Sequence, residues 1–223
     1  MTTIAQLQAS VDAWLIRDDV AVTGSDFTEI LRLAEAEIAT EYRFVVQETS
    51  TDLSFTGRSA DLPADFLEAR VPFIDDQYRS FNYKTPQALR QSAEWENGRA
   101  GMSYTIEGGS KDLSATGDDR VAVTIAGPAS VASPLTVTVY YYRRFAALDP
   151  ATPTDTNWLL LYQFNVILFE TLFQAAIYIQ EAELVDKYGA MVTSLRQRIA
   201  KQENRKRFGA MPKQSYNNPH TIV

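Results

Sequence analysis

Apolar positions recur along this chain in three patterns, helical at both ends and alternating in the middle. Near the start, Ile4, Leu7, Val11, Trp14 and Leu15 fall three and four residues apart behind Thr2 or Thr3, so they share one face of a helix. Phe27, Ile30, Ala34, Ile38 and Tyr42 repeat the spacing, with Asp26 and Glu29 placed as a capping pair and Gly24 breaking the chain before them. From residue 44 the period changes. Val121, Val123 and Ile125 alternate with small or polar residues, as do Leu135, Val137 and Val139, and each set predicts a strand with one buried face. Strands are expected at Phe44 to Gln47, Leu53 to Thr56, Ala69 to Ile74, Ser103 to Glu107, Val121 to Ala126 and Leu135 to Tyr142, with Gly, Pro, Asn, Asp and Ser between them. Thr85-Pro86 opens a short helix through Ala93, with proline at its first position.

The third pattern is an apolar run of 22 residues, Trp158 to Ile179, which has the length of a bilayer span. Gln163, Glu170 and Gln174 interrupt it on one helical face, and a lipid-facing glutamate would cost roughly 2 to 3 kcal/mol. The run is therefore read as a core helix, capped by Asp155 or Thr156, and not as a membrane span. A second stripe follows at Leu184, Tyr188, Met191, Leu195 and Ile199. It is out of phase with the earlier stripe at Leu168, Leu172, Ala175 and Ile179 by about half a turn at 3.6 residues per turn, which predicts a bend or hairpin near Gln180 to Glu183. The fold class expected is α+β: a helical bundle built from both chain ends, an inserted small antiparallel β-domain, and an extended C-terminal tail. The divisions are residues 1–42 for the N-terminal helices, 43–145 for the β-domain with its short helix, 146–208 for the helical hairpin, and 209–223 for a flexible docking tail with two prolines and no periodicity.

Charge sharpens this picture. Residues 196–213 hold seven basic side chains against one acid, Glu203, a balance of +6 in a chain of net charge −7, so the rest of the chain carries −13. An acidic body repels phosphate and argues against a nucleic-acid-binding domain. The basic cluster Arg205-Lys206-Arg207 suits a helix C-terminus, where cations meet the negative end of the dipole. There is no cysteine, so thiol and disulfide chemistry are excluded. Met1 to Ser10 show neither a basic nor an apolar signal region, and synthesis in the cytoplasm is the expectation.

Catalytic signals are sparse. Asp75-Asp76 and Asp118-Asp119 are adjacent carboxylates in turn-like sequence, and Gly108-Gly109-Ser110-Lys111 lacks the glycine spacing of a phosphate loop. His220 is the single histidine and lies in the tail. No catalytic residue, metal ligand or cofactor is assigned. The alternative kept open is a carboxylate-dependent glycan hydrolase, virion-associated or cellular. Tyr140 to Tyr142 alternate faces on a strand, and core packing with one exposed ring is expected in place of a base-stacking platform.

Several short segments together resemble head-to-tail adaptor (head-tail connector) proteins of short-tailed bacteriophages. Leu62-Pro63-Ala64-Asp65-Phe66-Leu67-Glu68-Ala69-Arg70 and then Thr85-Pro86-Gln87-Ala88-Leu89 are similar to the middle of that family. Tyr140-Tyr141-Tyr142, Ala147-Leu148-Asp149, Asn157-Trp158-Leu159-Leu160 and the final helix through Arg207-Phe208 follow in the family's order, so the likeness covers roughly residues 1–208. The resemblance implies a structural virion protein with no enzymatic role, a dodecameric ring docked beneath the portal. In that arrangement the bundle forms the ring body, the β-domain faces the tail nozzle or tail fibre proteins, and DNA passes through at genome ejection without specific binding. The C-terminal extension would reach along the portal through Arg205, Lys206, Arg207, Phe208, Met211 and Tyr216. Apolar surface in excess of one bundle's needs marks Trp158, Leu161, Phe164, Leu168 and Phe169 as expected subunit-interface positions.

Overall fold

The computed structural model describes residues 2–15, 24–70, 74–75, 81–92, 95, 103–108, 121–126 and 135–208. The fold is α+β, and the chain divides into two compact units, Met1–Val45 with Ala146–Val223 and Val46–Phe145.

The first unit is helical. Helix α1 (Ile4–Leu15) buries Ile4, Leu7, Val11 and Leu15, the face its spacing predicts, while Trp14 remains 39% exposed. Thr3 stands ahead of it, and the Gln6 side chain reaches back to accept the Thr3 N–H at 3.2 Å, one arm of a capping box. Helix α2 (Gly24–Glu41) starts at Gly24 in the left-handed region (φ 60°), and buries Phe27, Ile30, Leu31, Ala34 and Ile38. Asp26 lies inside its first turn, beside the helix dipole, and not ahead of the helix as a cap.

The long apolar run is two helices instead of one. α4 (Trp158–Tyr162) and α5 (Phe164–Tyr178) are separated by Gln163 at φ −134°, ψ 42°. The interruption sacrifices few bonds, because the Gln163 N–H still reaches the Leu159 carbonyl (2.8 Å) and the Val166 N–H reaches the Gln163 carbonyl (2.8 Å). It re-aims the run so that Leu159 and Leu160, and then Val166, Ile167 and Leu168, are all buried. The cap is neither Asp155 nor Thr156. Asn157 accepts the Leu160 N–H at 3.1 Å and donates its Nδ2 to the Ala146 carbonyl at 2.9 Å, a second bond that an aspartate or threonine has no donor of that reach to make.

The predicted phase slip has its cause at Gln180, a non-glycine at φ 57°. Its N–H meets the Ile177 carbonyl (3.1 Å) and the Glu181 N–H meets the Ala176 carbonyl (3.2 Å), the pair of bonds of a Schellman stop. Helix α6 (Ala182–Phe208) then runs back along α5 and buries Tyr188, Val192, Leu195, Ile199 and Glu203; Met191 and Leu184 are half-buried at its margin. Gly189 allows this close pass, since a Cβ there would stand 3.2 Å from the Phe173 ring. α1, α2 and α6 all pack on α5, which is why α5 is apolar on every side.

The second unit contains two sheets. In one, β8 (Leu135–Arg143) is central, antiparallel to β1 (Glu48–Phe55) on one edge and to β3 (Phe66–Ala69) and β4 (Ile74–Asp75) on the other. In the second, the order is β2 (Ser59–Asp61), β7 (Val121–Ile125), β6 (Ser103–Gly108) and β5 (Asn82–Tyr83). β5 runs parallel to β6, so the unit is not wholly antiparallel, and β2 and β5 were invisible to a two-residue period because they are too short. Leu53, Phe55, Leu62, Phe81, Tyr104, Val123, Ile125, Val137, Val139 and Tyr141 form its core. The strand expected at Phe44 to Gln47 is replaced by a 3-10 turn, Val45–Gln47: Phe44 is fully buried between Tyr42 and Trp158, and Glu203 takes the Val45 N–H. The strand expected at Ala69 to Ile74 is instead β3, launched earlier by the Pro63 turn, and β4. α3 (Pro86–Arg90) has Thr85 as its cap as expected but ends at Arg90; Ala93 lies outside the described residues.

Candidate docking and assembly site

The helical unit holds a charged group in its interior. Glu170 projects from α5 at zero exposure, and Arg196 of α6 grips it with two bonds, Nε to Oε1 at 3.0 Å and Nη2 to Oε2 at 3.1 Å. The same guanidinium reaches Glu37 (2.9 Å) and Glu41 (3.4 Å) of α2, and the Tyr42 hydroxyl donates to Glu170 at 2.9 Å. Burial, then the adjacent Glu170 carboxylate, push the Tyr42 hydroxyl well above its ordinary pKa. Burial opposes the charge on Arg196, but its bonds to Glu170 and Glu37 outweigh that and raise it. The stripe seen in sequence at Gln163, Glu170 and Gln174 thus splits: Glu170 is paired inside, while Gln163 and Gln174 are half-buried.

One end of this unit gathers the features singled out in the sequence. Glu203, only 3% exposed, accepts the Val45 N–H at 2.8 Å and bonds the Lys206 ammonium. Arg207 donates to the Arg43 carbonyl at 2.8 Å, and Arg43 in turn donates to the carbonyls of Ala39 (2.7 Å) and Tyr42 (2.8 Å) at the end of α2. A cleft of about 130 Å³ lies between these parts, lined by Tyr42, Arg43, Arg196, Asn204 and Arg207 among others. In the sequence Glu203 stands out only as the one acid in a basic window. Its position four residues after Ile199, on the apolar stripe, was the signal that it is buried.

The expected docking residues are therefore not equivalent. Lys206 and Arg207 have partners within the unit, whereas Arg205 is exposed with no ion pair among the described residues. Phe208 is the last residue of α6; Met211 and Tyr216 lie outside the described residues. Of the expected interface positions, Leu168 is buried in this unit's own core. Phe169 is half-buried edge-on to Trp14 (5.5 Å), and Trp158 is half-buried against Phe44 (5.2 Å) and Tyr162 (5.8 Å). Leu161 is 38% exposed, and Phe164 helps line a shallow groove of about 570 Å³ with Gln6, Ala9, Ala13 and Trp14.

The short segments that together carry the sequence resemblance have physical reasons to be there. The Tyr141 hydroxyl donates to Asp65 (2.9 Å), its ring stacks on Phe66 (5.6 Å), and the Arg144 N–H reaches the Asp65 carbonyl (2.7 Å). Burial and then the Asp65 bond push the Tyr141 hydroxyl up to about 12. Of the three tyrosines only Tyr141 is buried; Tyr142 donates to Glu48 at 3.3 Å and Tyr140 is 37% exposed. In the helical unit, Leu148 is buried and donates its N–H to Glu35 at 3.0 Å, and Asp149 closes a turn by accepting the Ala151 N–H (3.0 Å) and the Thr152 hydroxyl (2.9 Å). Burial holds the Glu35 carboxyl up at about 7, against the pull of the Leu148 bond.

Asp75 lies in β4, while Asp76, Asp118, Asp119, Ser110, Lys111 and His220 fall outside the described residues. Among the described residues, no group of three or more acids or histidines could hold a metal ion, and no helix is long and apolar enough to cross a membrane. A family model described as SU10 adaptor protein matches residues 2–219. No curated protein matches the sequence.

Proposed function

We propose, from the premise that the chain belongs to the SU10 adaptor protein family, that this phage head–tail adaptor works as an oligomeric ring joining the portal to the tail. The observation that carries the reading is the family match across nearly the whole chain, which embraces both units and the basic end of α6. The ring, dodecameric by resemblance, is a structural part of the virion through which DNA passes without specific binding. The helical unit forms its body, the second unit contacts the tail nozzle or tail fibre proteins, and the residues from Arg205 onward clasp the portal.

The geometry supports a division of labour at that end. Arg205, with Arg198 and Lys201 on the same outer face of α6, is exposed and makes no ion pair among the described residues, so it is available to an acidic partner. Lys206 and Arg207 hold the helix end in place. Removing residues 205–223 would confuse these roles, so two separate variants are needed: deletion of 209–223, and Arg205→Glu. Mixed with its cognate portal, the unaltered chain is expected to give ring-on-ring complexes by electron microscopy, and each variant fewer of them. Equal docking by both variants sinks the clasp.

A further inference from the structure

We infer that neighbouring copies of this chain meet through two different faces, with Leu33 on α2 of one copy seated in the groove between α1 and Phe164 of the next. The inference rests on the ring reading and adds to it which surfaces mate.

α1 and α2 both lean on α5 and scarcely touch each other, so their outer sides form separate faces of the helical unit. On α1 the outer side is a groove floored by Ala9 and Ala13, one turn apart, and walled by Trp14 and Phe164. Small side chains there let a second helix approach to the 8–10 Å at which helices pack. Trp14 is already fixed: its ring is edge-on to Phe169 and its carbonyl accepts the Tyr188 hydroxyl at 2.8 Å. An anchor held in this way loses little freedom on binding.

On α2 the outer side is a ridge. Leu33 is 57% exposed, and Ala36 and Thr40, three and seven residues on, extend an uncharged line below it. Seating Leu33, Ala36 and Thr40 in the uncharged groove desolvates no ion, with Glu29 one turn before Leu33 and Glu37 one turn after it left at the rim. The rims are charged, and one pair across them is complementary: Arg32, which also acts on the Glu35 carboxyl, stands exposed beside Leu33, and Asp12 stands exposed beside Ala13. The outer face of α6 is a poorer match to the groove because it carries Glu183, Asp186, Arg198, Lys201 and Arg205. Two unlike faces make a head-to-tail contact, which propagates from copy to copy and closes into a ring when the rotation allows.

The absence of cysteine makes a direct test simple. Leu33→Cys and Ala13→Cys in one chain, assembled with the portal and oxidised, should give a disulfide-linked ladder extending past dimer on a non-reducing gel. Either cysteine alone should stop at dimer, and Ala13→Cys with Ala190→Cys, which puts the second thiol on the exposed side of α6, should give no ladder. Asp12→Arg in the cross-linking chain should lower ladder yield several-fold, and adding Arg32→Asp should restore it. All the positions are exposed, and an unchanged circular dichroism spectrum checks that each variant folds. Rings seen by microscopy without a ladder overturn the pairing and leave the ring reading intact. An equal ladder from the Ala190→Cys control overturns it as mere collision. No rings from the unaltered chain, with or without portal, overturn the ring reading and the pairing together.

Discussion

Replacing Arg196 with methionine tests whether the interior charge group holds the helical unit together. The substitution keeps most of the apolar stem and deletes the guanidinium. Glu170, at zero exposure, is then left with one donor, the Tyr42 hydroxyl, where it had three bonds. Removing one partner of a buried pair costs about 3–5 kcal/mol, chiefly the desolvation of the charge left behind. Glu170→Gln should cost less, about 1–2 kcal/mol, because Arg196 keeps Glu37 and Glu41 and is a quarter exposed. The double variant Glu170→Leu, Arg196→Met removes both charges and replaces them with apolar groups of similar size. It should be more stable than Arg196→Met alone. Urea unfolding followed by helical circular dichroism measures all of these, and in heat the single variant should melt about 10 °C lower at 2–4 °C per kcal/mol. A loss below about 1 kcal/mol for Arg196→Met, or a double variant whose cost is the sum of the singles, would refute the account.

Other expectations follow from single contacts. Glu35 has a folded pKa raised to about 7 from 4.5, so the stability linked to it is fully present below pH 4.5 and is lost as pH rises through 7. Glu35→Gln, which can still accept the Leu148 N–H, should remove that decline and gain on the order of 1 kcal/mol at pH 8, partial exposure having reduced the effect; parallel urea titrations at pH 5 and 8 check it. Asn157→Ala should cost about 1–2 kcal/mol by removing the cap on α4 and the tie to Ala146, and Asn157→Asp should recover only the cap. Gln180→Gly should stabilise by about 1 kcal/mol, measured as a raised urea midpoint with unchanged slope, because glycine takes φ 57° without strain.

The long helical faces were legible because burial there follows one period. α1, α2 and α6 bury the stripes that their sequences space out, with Val192 displacing Met191 as the main departure. β6, β7 and β8 were legible for the same reason. What was hidden depends on contacts distant in sequence. Phe44 and Val45 read as the start of a strand until Trp158 and Glu203, more than a hundred residues away, claim them. Asn157 outdoes Asp155 and Thr156 as a cap because Ala146 offers a carbonyl. At the candidate site, the basic cluster was visible as charge, but which cations are committed was not: Arg207 points to the backbone carbonyl of Arg43, just past the end of α2, and Arg205 beside it does not. Leu33 gave no signal because it sits one residue beyond an otherwise regular apolar face.

The bonds from Glu203 to Val45 and from Arg207 to Arg43 have a mechanical meaning. They tie the last turns of α6 to the stretch where the chain leaves the helical unit, and Asn157 ties the stretch where it returns, at Ala146, to the start of α4. Tension applied at the end of α6 therefore has a short route to the first crossing, through these two hydrogen bonds, without traversing the packed length of α5.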